Sequence, residues 1–256
     1  MDLIRAVFKL ASPQQERCLN SNQGSLMQGM MMQKIRPAYA ELLHRSELKP
    51  YSQYLRNGTN GNVWILQTLT PDAAEEIWNK AELRTLSQFC LEHRDMNVQV
   101  TERKFEHLSE EELLEQTFFH TCPRKAVIHF VTPAAFKSNG SYLNYPTIRR
   151  IFQSLLNKFN AVSSSSSLDM DLVLDDIEKN VIATGYRLKS TYFNLEGIKV
   201  PSFLGSLALF TKGPQQMVNL IYMLLQFGTY SGVGIKTAMG MGGICVEGKD
   251  MEKWKM

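Results

Sequence analysis

The chain has 256 residues, of which 44% are hydrophobic and 21% charged, with a formal net charge of +3. This composition excludes a disordered chain, fits one large domain or two ordinary ones, and allows an anionic partner without requiring it. The four cysteines form no CxxC pair, the N-terminus is unlike a signal peptide, and the longest apolar run, Met217 to Phe227, is about half a membrane span. These features predict a soluble protein of the reducing cytoplasm, without a zinc site, disulfides or a membrane partner.

The first half of the sequence predicts the order β-α-β-β-α-β. Alternating apolar residues from Ile4 to Leu10 indicate a first strand. A helix follows, which Pro37 divides so that a shorter second helix ends near His44. Its apolar stripe consists of Met27, Met31, Ile35, Ala38 and Leu42. The later elements are strands at 51–55 and 63–69 around turn residues 57–61, a helix at 70–83, and strand at 98–100 and 104–105.

The second half predicts the same order again. Its elements are a strand at 126–131, a helix at 146–159 with Pro146 in its first turn, strands at 181–188 and 203–210 around a turn at 195–197, a helix at 215–227 and a strand at 244–246. The serine run at 163–167 is predicted to be a solvated turn. We therefore predict an α+β fold of two tandem ferredoxin-like domains, residues 1–121 and 122–256, each an antiparallel sheet with two helices.

The glycine-rich segment from Ser231 to Gly243 lies between the last helix and the last strand. Glycine permits positive φ angles and close approach of a ligand, and consecutive amides in such a turn can form an anion-binding nest. Lys236 adds a cation, so phosphate is the expected ligand. The spacing fits neither a P-loop nor a dinucleotide fingerprint, because this loop follows a helix and enters a strand. From the glycines alone, a loop without a ligand is equally consistent.

The pattern GxGxxxxxGxG at this place resembles the signature loop of the RAMP superfamily. Within it, GVGIKTAMGMG is similar to the Cas6 family of CRISPR repeat-RNA endoribonucleases. The resemblance implies the tandem fold and RNA binding by loop amides and one ammonium, at Gly232, Gly234, Lys236, Thr237, Gly240 and Gly242. Arg187 and Lys189, two apart on one strand face, are further RNA-binding candidates or simply a solvated face. Gly205 also resembles a family element, with a structural role.

His44 is the candidate catalytic residue. None of the five histidines has a metal-binding spacing. His44 ends a short helix and precedes the run Lys49-Pro50-Tyr51-Ser52, a setting similar to that of the family's catalytic histidine. The resemblance implies metal-free cleavage by the RNA's own 2′-hydroxyl, with His44 as base or acid and Lys49 stabilising the transition state. Tyr51 or Tyr39 would orient them, and no cofactor is expected.

One residue departs from the family pattern. Some members have a tyrosine in the first helix, and that position falls on Met32 here. The alternative function is therefore a non-catalytic RAMP subunit that binds guide RNA in an effector complex. A general RNA-recognition domain is disfavoured because no RNP pattern is present. The implied partners are precursor and mature repeat RNA and other CRISPR effector subunits, and a homodimer is compatible with the sequence.

Overall fold

The computed structural model describes residues 1–11, 19–58, 61–91, 95–165 and 167–247. Cys18, the turn residues Thr59 and Asn60, and Ser166 lie outside the described residues. None of the helices within these ranges combines the length and apolar character needed to cross a membrane.

The first half forms a five-stranded antiparallel sheet in the order β2-β3-β1-β5-β4. Its strands are β1 (Asp2–Ala11), β2 (Tyr51–Gly58), β3 (Gly61–Thr68), β4 (Gln88–Leu91) and β5 (Met96–Ser109). Its helices are α1 (Gly24–Lys34), α2 (Pro37–Arg45), α3 (Pro71–Ala74), which continues as a π-helical turn over Glu75–Lys80, and α4 (Glu110–Phe118). Without the extra edge strand β4, this is the ferredoxin-like strand order.

The second half repeats that order, with a four-stranded antiparallel sheet β11-β6-β10-β9. Its strands are β6 (Lys125–Ala134), β9 (Val181–Leu195), β10 (Ile198–Thr211) and β11 (Ile244–Val246), with a separate hairpin β7 (Phe136–Ser138) and β8 (Ser141–Leu143). Its helices are α5 (Ile148–Val162), α6 (Met170–Asn180) and α7 (Gln215–Ser231). The predicted α+β fold with two ferredoxin-like sheets is confirmed. The boundary between residues 121 and 122 stays a prediction, and α4 packs across it against α7.

Pro37 starts α2 as predicted, but the apolar stripe does not continue through it. Ala38 is exposed and the Leu42 side chain is 54% exposed, while Leu43 is buried. The backbone at Ile35 and Arg36 is extended, so the second helix begins with a new rotational phase. The part of the predicted stripe that falls on α2 is therefore wrong.

Two predictions about helix ends also need correction. Pro146 precedes the helix, because Thr147 is the N-cap of α5 and its side chain accepts a hydrogen bond from the amide of Arg150. The serine run is more than a solvated turn. The hydroxyls of Ser163 and Ser164 donate to the carboxylate of Glu110, at 2.5 and 3.0 Å, and so tie the end of α5 to α4.

Candidate functional site

The glycine loop, Gly232–Gly243, leaves the C-terminal end of α7 and has positive φ angles at several positions. Gly234 and Gly242 have φ of 81° and 66°, where a residue with a Cβ is strained. A Cβ on Gly234 would lie 2.2 Å from the carbonyl oxygen of Ala135, and one on Gly242 would lie 2.0 Å from that of Val233. Glycine is therefore required for the shape of the loop itself.

The amide groups of the glycines are largely used within the protein. The amide of Gly232 donates to the carbonyl of Gly228 at 2.9 Å and that of Gly242 to Pro133 at 2.9 Å. The amide of Gly234 donates to Ser154 Oγ at 2.8 Å. This corrects the expectation that these three glycines offer free N–H groups to phosphate; they shape the loop instead.

Two buried polar side chains, neither of them predicted, hold the loop. Gln53 of β2 donates from Nε2 to the carbonyls of Gly24 and Ala238, at 2.8 and 3.0 Å, and so joins the start of α1 to the loop. Lys158 of α5 donates from Nζ to the carbonyls of Ser231 and Gly232, at 3.2 and 2.9 Å, and to Thr237 Oγ1 at 3.3 Å. Burial lowers the pKa of Lys158 to about 7.

The first half also fixes the end of α7, from which the loop departs. The Arg5 guanidinium donates to the carbonyl of Thr229 at 3.0 Å and stacks on the Tyr230 ring, 4.1 Å from its centroid. Ser52 donates to the carbonyl of Tyr230, and Gln67 donates to that of Thr229. These donors satisfy carbonyls that a helix end leaves unpaired, and the Arg5 cation suits the negative end of the helix dipole. The loop is thus positioned by both sheets.

A cavity of about 350 Å³, which we call the lysine cavity, lies between α1, the α2–β2 connection and the glycine loop. It is lined by Gln28, Glu47, Leu48, Lys49, Lys158, Gly234, Ile235, Lys236, Thr237, Ala238 and Met239. Its three lysines come from three separate parts of the chain. Lys236 has φ of 55° and starts the 3₁₀ turn Thr237–Met239, which has no side-chain cap. Two of the lysines, Lys49 and Lys236, face one carboxylate, that of Glu47, while burial favours the neutral amine of Lys158. The exposed charge of the lining is therefore weakly positive.

Lys49 and His44, the two main catalytic candidates, lie on the α2–β2 segment but differ in surroundings. Lys49 is half-buried, donates from Nζ to the carbonyl of Ser46 and lines the lysine cavity. His44 is exposed on the last turn of α2 and is not among the residues that line the cavity. The structure therefore brings Lys49 to Lys236, while His44 stands outside the cavity, five residues from Lys49 along the chain.

Tyr51 does not sit where a substrate could reach it. Its side chain is fully buried, and its oxygen accepts a hydrogen bond from Gln28 Nε2 at 2.8 Å. Burial raises the pKa of Tyr51 well above its usual range, so the phenol stays neutral. Tyr51 holds Gln28, which lines the cavity, so direct contact of Tyr51 with substrate is excluded and its orienting role stays a prediction. Burial likewise raises the pKa of Tyr39, to about 12.

The structure also shows where the remaining residues singled out in the sequence lie. Met32 is half-buried and packs against the hydrophobic core of the first half. Arg187 and Lys189 are exposed on β9, outside the lysine cavity.

Gly205 lies opposite Leu188 with φ of 125°, and a Cβ there would be 1.9 Å from the carbonyl oxygen of Arg187. Its structural role in letting β9 and β10 approach is confirmed. Within the described ranges, no group of three His, Cys, Asp or Glu side chains could hold a metal ion.

Comparison with known proteins connects this arrangement to one family. The family model for CRISPR-associated endoribonuclease Cas6 matches residues 128–244. The chain is 31% identical over 225 residues to a CRISPR-associated endoribonuclease Cas6 from Streptococcus thermophilus, covering 86% of this chain and 89% of the relative. It is 32% identical over 233 residues to the protein of that name from Mycobacterium tuberculosis, covering 91% of this chain and 74% of the relative.

The fold is likewise that of solved Cas6 structures. A Cas6 product complex superimposes with a TM-score of 0.79 at 17% identity, covering 97% of this chain and all of the other. Sequence identity along most of the chain and the shared fold lead to one assignment: the protein belongs to the family of CRISPR-associated Cas6 endoribonucleases.

Proposed function

We propose that this protein is a metal-independent endoribonuclease that cuts CRISPR precursor RNA within each repeat. The observation that carries the proposal is the lysine cavity, in which Lys49 of the α2–β2 connection meets Lys236 of the glycine loop. The family assignment supplies the class of reaction and the repeat RNA as substrate. Cleavage would yield mature guide RNA. We propose that the protein then passes this RNA to other CRISPR effector subunits.

The chemistry requires no group beyond those of the protein and the RNA. The 2′-hydroxyl oxygen forms a bond to the adjacent phosphorus, and the bond from that phosphorus to the 5′-oxygen of the next nucleotide breaks. The products are a 2′,3′-cyclic phosphate and a 5′-hydroxyl. One proton leaves the attacking hydroxyl and one reaches the departing oxygen, and histidine is suited to either transfer. In this scheme His44 handles one of the two protons.

The cations of the cavity act on the phosphate. The transition state carries more negative charge on its phosphoryl oxygens than the substrate does, so a fixed ammonium lowers the barrier. Lys49 is held by the carbonyl of Ser46, which limits its motion. RNA that crosses the α2–β2 segment from the cavity would pass Lys49 and then His44.

The test combines two substrates and a chelator. The protein is incubated in EDTA with repeat RNA and with a copy that is 2′-deoxy at the cleavage-site nucleotide. We expect the first to be cut to a cyclic phosphate and the second to remain intact. Cleavage of the deoxy copy would exclude attack by the 2′-hydroxyl, and complete dependence on magnesium would exclude the metal-free mechanism.

A non-catalytic RNA-binding subunit is the alternative, and two observations favour it. Met32 offers no polar group at the position of the family's tyrosine, and Tyr51 is buried. This alternative predicts tight binding of repeat RNA with no cleavage of either substrate. The same incubation therefore separates the two functions.

A further inference from the structure

A second cavity, of about 300 Å³, adjoins the lysine cavity. The two share Leu48, Lys158, Gly234 and Ile235 in their linings, so they lie side by side along the glycine loop. The second cavity also receives Phe136, Lys137, Arg150, Gln153, Ser154 and Asn157. An RNA strand with one nucleotide in the lysine cavity would place the neighbouring nucleotide in the second cavity.

The lining of this second cavity is cationic and rich in hydrogen-bonding groups. It contains two lysines, one arginine, two amide side chains and one hydroxyl, and no carboxylate is among the described residues that line it. The Arg150 guanidinium donates to Gln153 Oε1 at 2.9 Å and to Ser138 Oγ at 2.7 Å, both neutral oxygens. Its charge is thus oriented by these partners without being neutralised by them.

The neighbouring Arg149 shows the contrast. Its guanidinium is 3.2 Å from a carboxylate oxygen of Asp175 and 2.7 Å from one of Glu178, both on α6. Consecutive residues of a helix point about 100° apart, which sends one arginine to an acidic helix and the other to the cavity. Arg149 therefore serves the packing of α5 and α6, and Arg150 is available for an anionic ligand.

We propose that the second cavity is a subsite for one unpaired nucleotide next to the phosphate held in the lysine cavity. The proposal rests on the proposed function. Arg150 and Lys137 bind its phosphate, because guanidinium and ammonium groups are the usual partners of phosphate oxygens. Gln153 and Asn157 carry both donors and acceptors, which suit a base edge. A cavity of this size excludes a duplex, and unpaired nucleotides are the ones whose base edges proteins read.

The experiment compares Arg150→Gln with the matched variant Arg149→Gln, using the full chain and repeat RNA. A charged hydrogen bond is worth about 1.5–3 kcal/mol, so Arg150→Gln should weaken RNA binding by about 10- to 150-fold. Arg149→Gln should leave RNA affinity within about twofold, since its partners lie within the protein. Arg150→Lys, which keeps the charge, should recover part of the affinity. Thermal unfolding of each variant checks that it is folded.

Shortened RNAs locate the subsite. Repeat RNAs are trimmed one nucleotide at a time on each side of the cleavage point, and the affinities of wild type and Arg150→Gln are compared. The difference should vanish when one particular neighbouring nucleotide is removed. Equal effects of the Arg149 and Arg150 variants, or a difference that persists on every trimmed RNA, would overturn the subsite while wild-type cleavage still stands. Loss of the proposed function would instead appear as intact repeat RNA with the wild-type protein.

Discussion

The glycine loop and the α2–β2 segment, residues 44–50, meet at the lysine cavity but are built in opposite ways. The loop is mostly buried, and its backbone groups form hydrogen bonds with residues of both sheets. The α2–β2 segment is mostly exposed, with His44 and Leu48 in contact with solvent. The loop thus behaves as part of the architecture, and the exposed segment offers side chains to a ligand.

The glycine loop and the α2–β2 segment are therefore expected to have different roles. A loop whose glycines lie close to backbone neighbours and whose amides are already bonded has little room to adapt to a substrate. Side chains on an exposed helix end can, and catalytic hydrogen bonds often tighten only when substrate binds. Substitutions in the loop should therefore act on stability and affinity, and substitutions at His44 should act on the rate.

The largest expected effect is that of His44→Ala on cleavage. Removing a general acid or base costs about 10²–10⁴-fold in rate, so cleavage of repeat RNA should fall by that factor. RNA affinity should stay within about twofold, because the cavity cations remain. Single-turnover cleavage and a binding titration measure the two effects. His120→Ala, at an exposed histidine after α4, is the control and should change neither. A His44→Ala protein that cuts at the wild-type rate would remove His44 from the mechanism.

A substitution at the contact between α1 and the loop tests the architectural role. Gly24 starts α1, and a Cβ there would lie 2.2 Å from the carbonyl oxygen of Met239. Backbone atoms must move to admit it, so Gly24→Ala should lower the free energy of unfolding by about 1–3 kcal/mol and weaken RNA binding. Gly29→Ala in the same helix is the control, since no described atom beyond its chain neighbours and the adjacent helix backbone lies within 4 Å of its added Cβ.

Alanine is a better helix former than glycine, so Gly29→Ala should raise the free energy of unfolding by up to about 1 kcal/mol. Urea denaturation of both variants gives the comparison. If the two glycine variants lose stability equally, the loop is not packed against α1 in the manner described.

The order of strands and helices along the chain and the place of the loop could be read from the sequence because both follow from local signals. Period-two apolar runs mark strands, and a glycine cluster between a helix and a strand marks a special backbone. The missed helix α4 also had a signal, the capping box Ser109-x-x-Glu112, in which Ser109 caps Glu112 and Glu112 binds the amide of Ser109. The edge strand β4 and the hairpin β7–β8 are too short for periodicity to reveal.

The residues that build the site were harder to find, because their role depends on distant parts of the chain. Lys158 lies seven residues after Ile151, so helical periodicity places it on the buried face of α5. A lone lysine on an apolar face was the available signal for a buried cation. Gln28 and Gln53 gave none. Gln28 binds Tyr51, 23 residues away, and Gln53 binds the carbonyls of Gly24 and Ala238, 29 and 185 residues away. Periodicity also could not show that His44 lies outside the lysine cavity, or that Tyr51 is buried beneath Gln28 of its lining.

Lys158 allows a test that depends on pH. Burial lowers its pKa to about 7 in the folded protein, against about 10.4 for an unperturbed lysine. At pH values between these two pKa values the unfolded chain binds one more proton at this lysine than the folded protein does. The contribution of Lys158 to the free energy of unfolding therefore increases as the pH rises from about 7. The free energy of unfolding of wild type minus that of Lys158→Met should increase by up to about 1.4 kcal/mol per pH unit from pH 7 to 9.

The measurement is urea denaturation of both proteins at several pH values. Lys212→Met, at an exposed lysine before α7, should give a difference from wild type that does not change with pH. A flat difference for Lys158→Met as well would mean that the carbonyls of Ser231 and Gly232 keep the ammonium charged, and the loop would then be held by a permanent cation.

The smallest effect is expected from Lys236→Gln, which removes one charge at the loop surface. Lysine and glutamine are equally strained at φ of 55°, so the substitution isolates the charge. If Lys236 contacts one phosphate of single-stranded RNA, the slope of log affinity against log salt should become shallower by about 0.7. Lys212→Gln is the matched control, because α7 spans 17 residues, or about 25 Å, between Lys212 and the loop. An unchanged slope for Lys236→Gln, beside a reduced one for Lys49→Gln, would place the phosphate on the α2–β2 side of the cavity and leave the glycine loop as its wall.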